Sequence, residues 1–300
     1  MRKILALIVL ALCLYSCERE MNIRLPGSEP KLIVEGSIET GLPPVVRLSR
    51  SIGFFAEIDT AIFFNSFVNG AHITVSDGEK TITLKEYEFY LGDYKINFYS
   101  VDSANLDDLA FAGVSGKQYD LRVEVDGEIF TSTTTIPPVN YGLDSFWTEI
   151  PANEEAMAED PTYRIVRGRY NDPIDEINRF RIFSAVNGGS FYAPYFSVNN
   201  DDIINGTTVN VLIEPGWNRF DTLNMARSNY FHLGDTLDIK LASIDFATYE
   251  FFRTLEYSYG TVGNPFAAPM IVSSNIEGGA LGVWAGYGAF TQRYVVKDEE

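Results

Sequence analysis

From Lys31 onward the chain alternates apolar and polar residues in short runs. "KLIVEGSIE" and "VVRLSRSI" are separated by the turn cluster "TGLPP". "HITVSDGEKTITL" alternates on both sides of Asp77-Gly78, and "YDLRVEVDGEIFTSTTTI" on both sides of Asp126-Gly127. A period of two places every second side chain on one face of a strand. Asp-Gly between two such runs marks a hairpin, because both central turn residues take positive φ. Residues 31–138 therefore predict an antiparallel β-sandwich, immunoglobulin-like or prealbumin-like, in a mainly β protein. The prolines of "IPPV" (136–139) remove two backbone donors and end this unit.

Strand patterns resume in "TYRIVRGRY", "NRFRIFSAV", "VNVLIE" and "DTLDIKLASI", after an acidic loop or short exposed helix, "NEEAMAED" (153–160). One stretch changes period. In "SIDFATYEFFRTLEYSYG", Phe246, Tyr249, Phe252, Leu255 and Tyr259 recur at steps of three or four residues. That spacing predicts a helix over about 244–258 with an aromatic core face, Ser243 as a cap, Asp245 at the positive end and Gly260 closing it. Residues 139–296 thus form a second β-rich unit with one main helix.

The Gly-rich run "SSNIEGGALGVWAGYG" (273–288) invites a phosphate-loop reading. Such a loop needs a helix after its glycines, and often a Lys. Neither is present. "LGVWAGYGAF" alternates instead, with Leu281, Val283, Ala285, Tyr287 and Ala289 on one face. It predicts a hairpin strand whose glycines admit close neighbours.

The amino terminus adds a location. Arg2 and Lys3 precede an apolar stretch, Ile4 to Leu14, too short for a spanning helix of about 20 residues. Residues 1–16 have the layout of a secretory signal. "LYSC" (14–17) resembles the lipobox of bacterial lipoproteins, with Tyr15 bulkier than usual. In that family cleavage precedes the Cys, which is then acylated, so Cys17 is the candidate lipidation site and 17–30 a tether. Cys13 is lost with the signal, which leaves no disulfide in the mature chain. The formal charge of −18 becomes −20 without Arg2 and Lys3. An acidic surface disfavours nucleic acid and anionic headgroups, so attachment to a membrane falls to the lipid. "ERE" after Cys17 resembles a surface-export signal, which favours the cell surface slightly over the periplasmic face.

Candidate chemistry is sparse. His72 and His232 are the two histidines, each in strand-like sequence, and no zinc-ligand spacing occurs. "DSANLDD" (102–108) lacks the glycine and closing Glu of a calcium loop. "NNDDIIN" (199–205) offers Asp201 and Asp202 as the best oxygen ligands, without a metal motif, and no cofactor is expected. Two predicted loops are rich in aromatics. "GFFAEIDTAIFFNSF" (53–67) holds Phe54, Phe55, Phe63 and Phe64; "GGSFYAPYFSVNNDD" (188–202) holds Tyr192, Tyr195 and Phe196. Such side chains either pack over the ends of the sandwich or contact a ligand or partner. Four Asp-Ser/Thr-aliphatic triplets, starting at Asp59, Asp102, Asp221 and Asp235, resemble acceptors of a bacterial O-glycosylation system.

"KLIVEGSIE", "VRLSRS", "NGAHITVSDGEKTITL", "GKQYDLRVEVDGE", "TTTIPPV" and "GNPFAAPMIVSSNIEGGALGVWAGYG", in that order, resemble the bacterial lipoproteins of domain of unknown function 4249. The resemblance implies an outer-membrane lipoprotein, with a TonB-dependent outer-membrane receptor as the expected partner, and it supplies no catalytic residues. The expectation is a non-enzymatic binding or accessory component of nutrient uptake. A structural or adhesive surface protein and a hydrolase without a signature are the alternatives.

Overall fold

The computed structural model describes residues 29–53, 59–92, 94–139, 142–172, 177–202, 205–219, 221–222, 224–261, 264, 266–268 and 270–298. The expected signal segment 1–16, the candidate lipidation site Cys17, residues 17–28 of the expected tether, Phe54 and Phe55 lie outside the described residues.

The first part of the chain forms β1 (Leu32–Glu39), β2 (Val45–Arg50), α1 (Thr60–Asn65), β3 (His72–Ser76), β4 (Thr81–Thr83), β5 (Lys85–Leu91), β6 (Tyr94–Ser100), α2 (Leu106–Leu109), β7 (Gln118–Val125) and β8 (Glu128–Thr135). The second part forms β9 (Ser145–Glu149), α3 (Glu154–Glu159), β10 (Tyr163–Asn171), β11 (Arg179–Val186), β12 (Val198–Asn200), β13 (Thr208–Ile213), β14 (Phe231–His232), β15 (Thr236–Ser243), α4 (Phe246–Thr261) and β16 (Leu281–Val295). The protein is mainly β, and its sheets pack as sandwiches.

An eight-stranded sheet runs in the order β12-β11-β15-β16-β1-β2-β6-β5. It therefore crosses from one side of Pro137-Pro138 to the other. The sheet β4-β3-β7-β8 covers its β1–β2 region, and the buried cluster between them includes Val34, Leu48, Val75, Leu121 and Trp284. A second four-stranded sheet, β9, β10, β13 and β14, packs over β11 and β15 around Val166, Ile182, Ile213 and Leu237. On the opposite face α4 sets Tyr249, Phe251 and Phe252 against Ala242, Val283 and Tyr287.

The two Asp-Gly sites differ: at 126–127 both residues take the predicted positive φ, whereas at 77–78 only Gly78 does, at 87°, in a longer loop between Ser76 and Thr81. Asp126 and Gly127 sit at φ 54° and 82° and join β7 to β8 directly. Asp77 closes the β3–β4 loop by accepting from the backbone N–H groups of Glu79 and Lys80. Lys117 Nζ donates to the same carboxylate, and these bonds hold its pKa down to about 2.

Three local expectations need correction. β16 is no hairpin strand: it pairs in parallel with β1, Val34 opposite Gly282, and antiparallel with β15. The helix starts after Asp245 rather than Ser243, because Asp245 Oδ1 accepts from the Thr248 N–H at 2.8 Å. Its other oxygen accepts from the Thr134 hydroxyl, which ties the helix start to β8. Gly260 lies inside α4 instead of beyond it; the last turn takes hydrogen bonds from the Thr261 hydroxyl to the carbonyls of Tyr257 and Ser258.

Candidate functional site

The aromatic loop 188–202 is built onto the end of β11. Asn187 and Gly188, at φ 53° and 76°, turn the chain back, and Tyr192 and Ser184 exchange backbone hydrogen bonds at 3.0 and 3.1 Å. The segment 214–217 then seats against it. Ser184 Oγ donates to the Glu214 carbonyl at 3.0 Å, and Trp217 N–H donates to the Ala193 carbonyl at 3.0 Å. Gly216 is required here, because a Cβ would stand 2.2 Å from the Tyr192 carbonyl oxygen.

This seating gathers aromatic rings from three separate stretches. Tyr195 lies edge-on to Phe196 with centroids 4.9 Å apart, 6.0 Å from Trp217 and 6.1 Å from Tyr259 of α4. Arg219 lies over both Trp217 and Tyr259 and donates to the Tyr259 hydroxyl at 2.8 Å. Phe196 and Tyr192 remain 53% and 38% exposed, so these rings are not sealed into the core.

A cleft of about 450 Å³ opens beside Phe196, between β12 and β13. Ile182, Val198, Val209 and Val211 give it apolar walls, and Asn199, Asn210 and Glu214 supply polar groups. Burial raises the Glu214 pKa above its usual value. A smaller hollow of about 290 Å³ lies on the other side of 214–217, lined by Tyr192, Trp217, Arg227 and Tyr230. Apolar walls with a few convergent polar groups suit a small organic ligand or a protruding side chain.

A buried polar network fixes the loop from beneath. Ser197 donates from Oγ and N–H to the two oxygens of Glu256, at 2.5 and 3.0 Å. Arg181 Nε donates to Ser197 Oγ at 2.8 Å, and Arg181 Nη1 to the Tyr287 hydroxyl at 3.0 Å. The Arg181 guanidinium also stacks 3.5 Å from the Phe252 ring centroid.

The two aromatic loops do not meet. Phe63 and Phe64 belong to α1 and pack toward β6, near the β5 edge of the large sheet, whereas Tyr192, Tyr195 and Phe196 lie at its β12 edge. Seven strand spacings separate those edges, on the order of 33 Å. Phe54 and Phe55 lie outside the described residues.

Asp201 and Asp202 also diverge. Asp202 is exposed on the surface, where its carboxylate accepts from Asn200. Asp201 is fully buried and accepts from the backbone and side-chain nitrogens of Asn178, whose amide also reaches Asp172. Burial, with Asp172 adjacent, raises the Asp201 pKa. No group of three His, Cys, Asp or Glu side chains placed to hold a metal occurs among the described residues. His72 opens β3 and is exposed; His232 lies in β14 with Nε2 3.4 Å from Asp160. Thr60, Ser103 and Thr222 of the Asp-Ser/Thr-aliphatic triplets are exposed, while Thr236 is half-buried in β15.

Trp217, Arg219 and Glu214 carry no signal in the sequence reading. Tyr259 carries the aromatic stripe of α4, so its period was visible; its meeting with Tyr195 depends on tertiary packing. No curated protein matches the chain. The sequence model of the family described as Domain of unknown function (DUF4249) matches residues 18–293, most of the chain. The chain belongs to that family.

Proposed function

We propose that this is a lipid-anchored outer-membrane protein whose work is non-catalytic binding, as an accessory to a TonB-dependent nutrient receptor. The observation that carries the reading is the convergence of Tyr195, Phe196, Trp217 and Tyr259 beside the cleft lined by Glu214. Aromatic rings held on a hydrogen-bonded platform present apolar area at low ordering cost, as binding surfaces do. The lipobox-like "LYSC" supports the anchor. No helix among the described residues is long and apolar enough to cross a membrane; on this reading an acyl group on Cys17 does the holding.

Two experiments test it. Cys17→Ala should release the protein from the membrane fraction; retention in the outer membrane at high salt would remove the anchor from the reading. The triple variant Tyr192→Ser, Tyr195→Ser, Phe196→Ser should lower receptor co-purification from native membranes by tenfold or more, on the order of one or two lost binding anchors. Its melting temperature, measured in parallel, separates contact from packing. Lost stability with unchanged co-purification per folded molecule would mean that the rings serve the fold.

A further inference from the structure

The other aromatic cluster stands at the end of the molecule where the anchored segment leaves. Leu32 pairs with Arg50, and Lys31 exchanges hydrogen bonds with Ser51, donating to its hydroxyl at 2.9 Å and accepting from its N–H at 2.8 Å. The described chain therefore begins beside the end of β2. β6 runs antiparallel to β2, with Val45 opposite Ser100, so its first residue, Tyr94, points back toward that same end. α1 is strapped there as well, because Arg50 N–H donates to the Ser66 carbonyl and Ser49 bridges Phe67.

The cluster is contiguous and open to solvent. Phe63 lies edge-on to Phe64 and Phe67, at 5.2 and 5.6 Å, and Phe64 stacks on Tyr94 at 4.3 Å. Phe89, on the same face of the β5–β6 hairpin as Tyr94, sits 6.1 Å from Phe98. Ile62 is 41% exposed, Phe63 36%, Phe89 42% and Tyr94 37%. An apolar patch of several side chains on an acidic protein marks a contact rather than a solvated surface.

We infer that this patch, with Phe63, Phe89 and Tyr94 at its centre, rests on the bilayer surface that holds the anchored amino terminus; this rests on the lipid-anchor reading above. Residues 18–28 join Cys17 to the described chain and reach at most about 40 Å when extended, so the patch is confined near the membrane. Tyr94 suits the headgroup level, where its ring meets apolar carbon and its hydroxyl meets water, and the phenylalanines beside it supply the apolar area that enters the acyl boundary. The partner follows from charge as well: a chain of net charge −18 gains from an uncharged apolar contact and not from an anionic one.

The same geometry sets the cleft away from the bilayer. β16 runs from Leu281, level with Ile33, to Val295, level with Thr236, over 15 residues or about 45–50 Å. Ile182, a wall of the cleft, pairs with Leu241, which stands opposite Phe290, about 30 Å along β16 from Leu281. Resting the patch on lipid therefore presents Phe196 and the cleft outward.

The test uses the full-length protein purified from membranes and placed in phosphatidylcholine vesicles whose acyl chains carry bromine. Phe63→Trp and Phe89→Trp report on the patch, and Leu233→Trp, 39% exposed at the far end, is the control. Subtracting the wild-type signal, the added Trp at 63 or 89 should lose about half its emission to bromine, and the one at 233 none. Equal quenching at 63, 89 and 233 would overturn the inference. So would unquenched patch reporters whose substitution by Ser instead lowers receptor co-purification, since the patch would then face a protein. The mass of the Cys17 peptide is read in parallel. An acylated Cys17 with unquenched patch reporters sinks only this inference, whereas an unacylated Cys17 sinks the anchor and this inference together.

Discussion

Replacing Gly282 by alanine should lower the melting temperature of the protein by about 10 °C. Gly282 stands at φ +114°, and a Cβ there would lie 2.0 Å from the Val34 carbonyl oxygen and 2.8 Å from its carbon. Val34 is its partner in the β1–β16 ladder, so no flexible side chain can yield. Either the backbone of β1 moves or the two strands separate, and the pair lies in the middle of the eight-stranded sheet. Close contact and a left-handed φ together cost about 3–5 kcal/mol, and a domain of this size loses roughly 2–4 °C per kcal/mol. Gly279→Ala provides the comparison: φ is +91°, but nothing lies within 4 Å of the added carbon. It should cost only about 1 kcal/mol of backbone strain. Equal melting temperatures for the two variants would show that the contact with Val34 is not what requires glycine. Gly286 and Gly288 follow the same rule without a special φ, since their added carbons would stand 2.6 Å from the Thr135 carbonyl oxygen and 2.2 Å from that of Pro137. The glycines of this run bring backbones together, while Trp284 between them packs on Gly36 of β1, where a Cβ would stand 2.7 Å from its ring; it is fully buried with its indole N–H on the Tyr119 carbonyl at 3.0 Å.

What was legible in the sequence was what neighbouring residues decide. Asp126-Gly127 makes a two-residue turn because its own φ preferences are satisfied there, and the alternation in "YDLRVEV" needs only a core on one side. The parallel pairing of β1 with β16 joins residues about 250 apart in the chain, and nothing local in "LIVEGSIE" or "LGVWAGYG" distinguishes a parallel from an antiparallel partner. The same limit hid half of the candidate site. Tyr192, Tyr195 and Phe196 stand out as aromatics in a loop, whereas Trp217 and Arg219 gain meaning only when 214–219 folds against them. Nothing local in "FRTLEYSY" shows what Glu256 meets. It is 4% exposed, because the Ser197 hydroxyl and N–H meet both of its oxygens. Asp201 is hidden in the same way: in a run of Asn and Asp it reads as a solvated loop ligand, yet it is buried against Asn178.

Arg181→Met should cost about 3–5 kcal/mol at pH 8, read from the urea midpoint, and distinctly less at pH 5. Arg181 is 7% exposed and supports Glu256 through Ser197, the guanidinium giving Nε to Ser197 Oγ at 2.8 Å while Oγ gives its proton to Glu256. Removing the cation leaves a buried carboxylate with no positive charge in this network, and breaking a buried charge arrangement on one side has costs of that size. The pH dependence follows from the direction of the Glu256 shift. Burial raises its pKa above 4.5, while Ser197 and the charge of Arg181 lower it. A carboxyl whose folded pKa is raised contributes most below the unfolded pKa, and that contribution falls as pH rises from about 4.5 through the folded pKa. Without Arg181 the folded pKa climbs further, so the fall continues to higher pH and the defect widens there. Adding Glu256→Gln removes the titrating group; the double variant should recover part of the loss at pH 8 and show a pH-independent remainder, the lost stacking on Phe252 at 3.5 Å and the lost bond to Tyr287. A defect of the same size at pH 5 and pH 8 in Arg181→Met would mean that Glu256 stays neutral in the native protein and that Arg181 acts by packing alone. The network also carries Ser197 between Phe196 and Val198, two walls of the cleft. The charge state of a side chain on α4 thus bears on the residue that holds the aromatic loop, and on the proposed binding function receptor co-purification should weaken in Arg181→Met along the same pH course as stability.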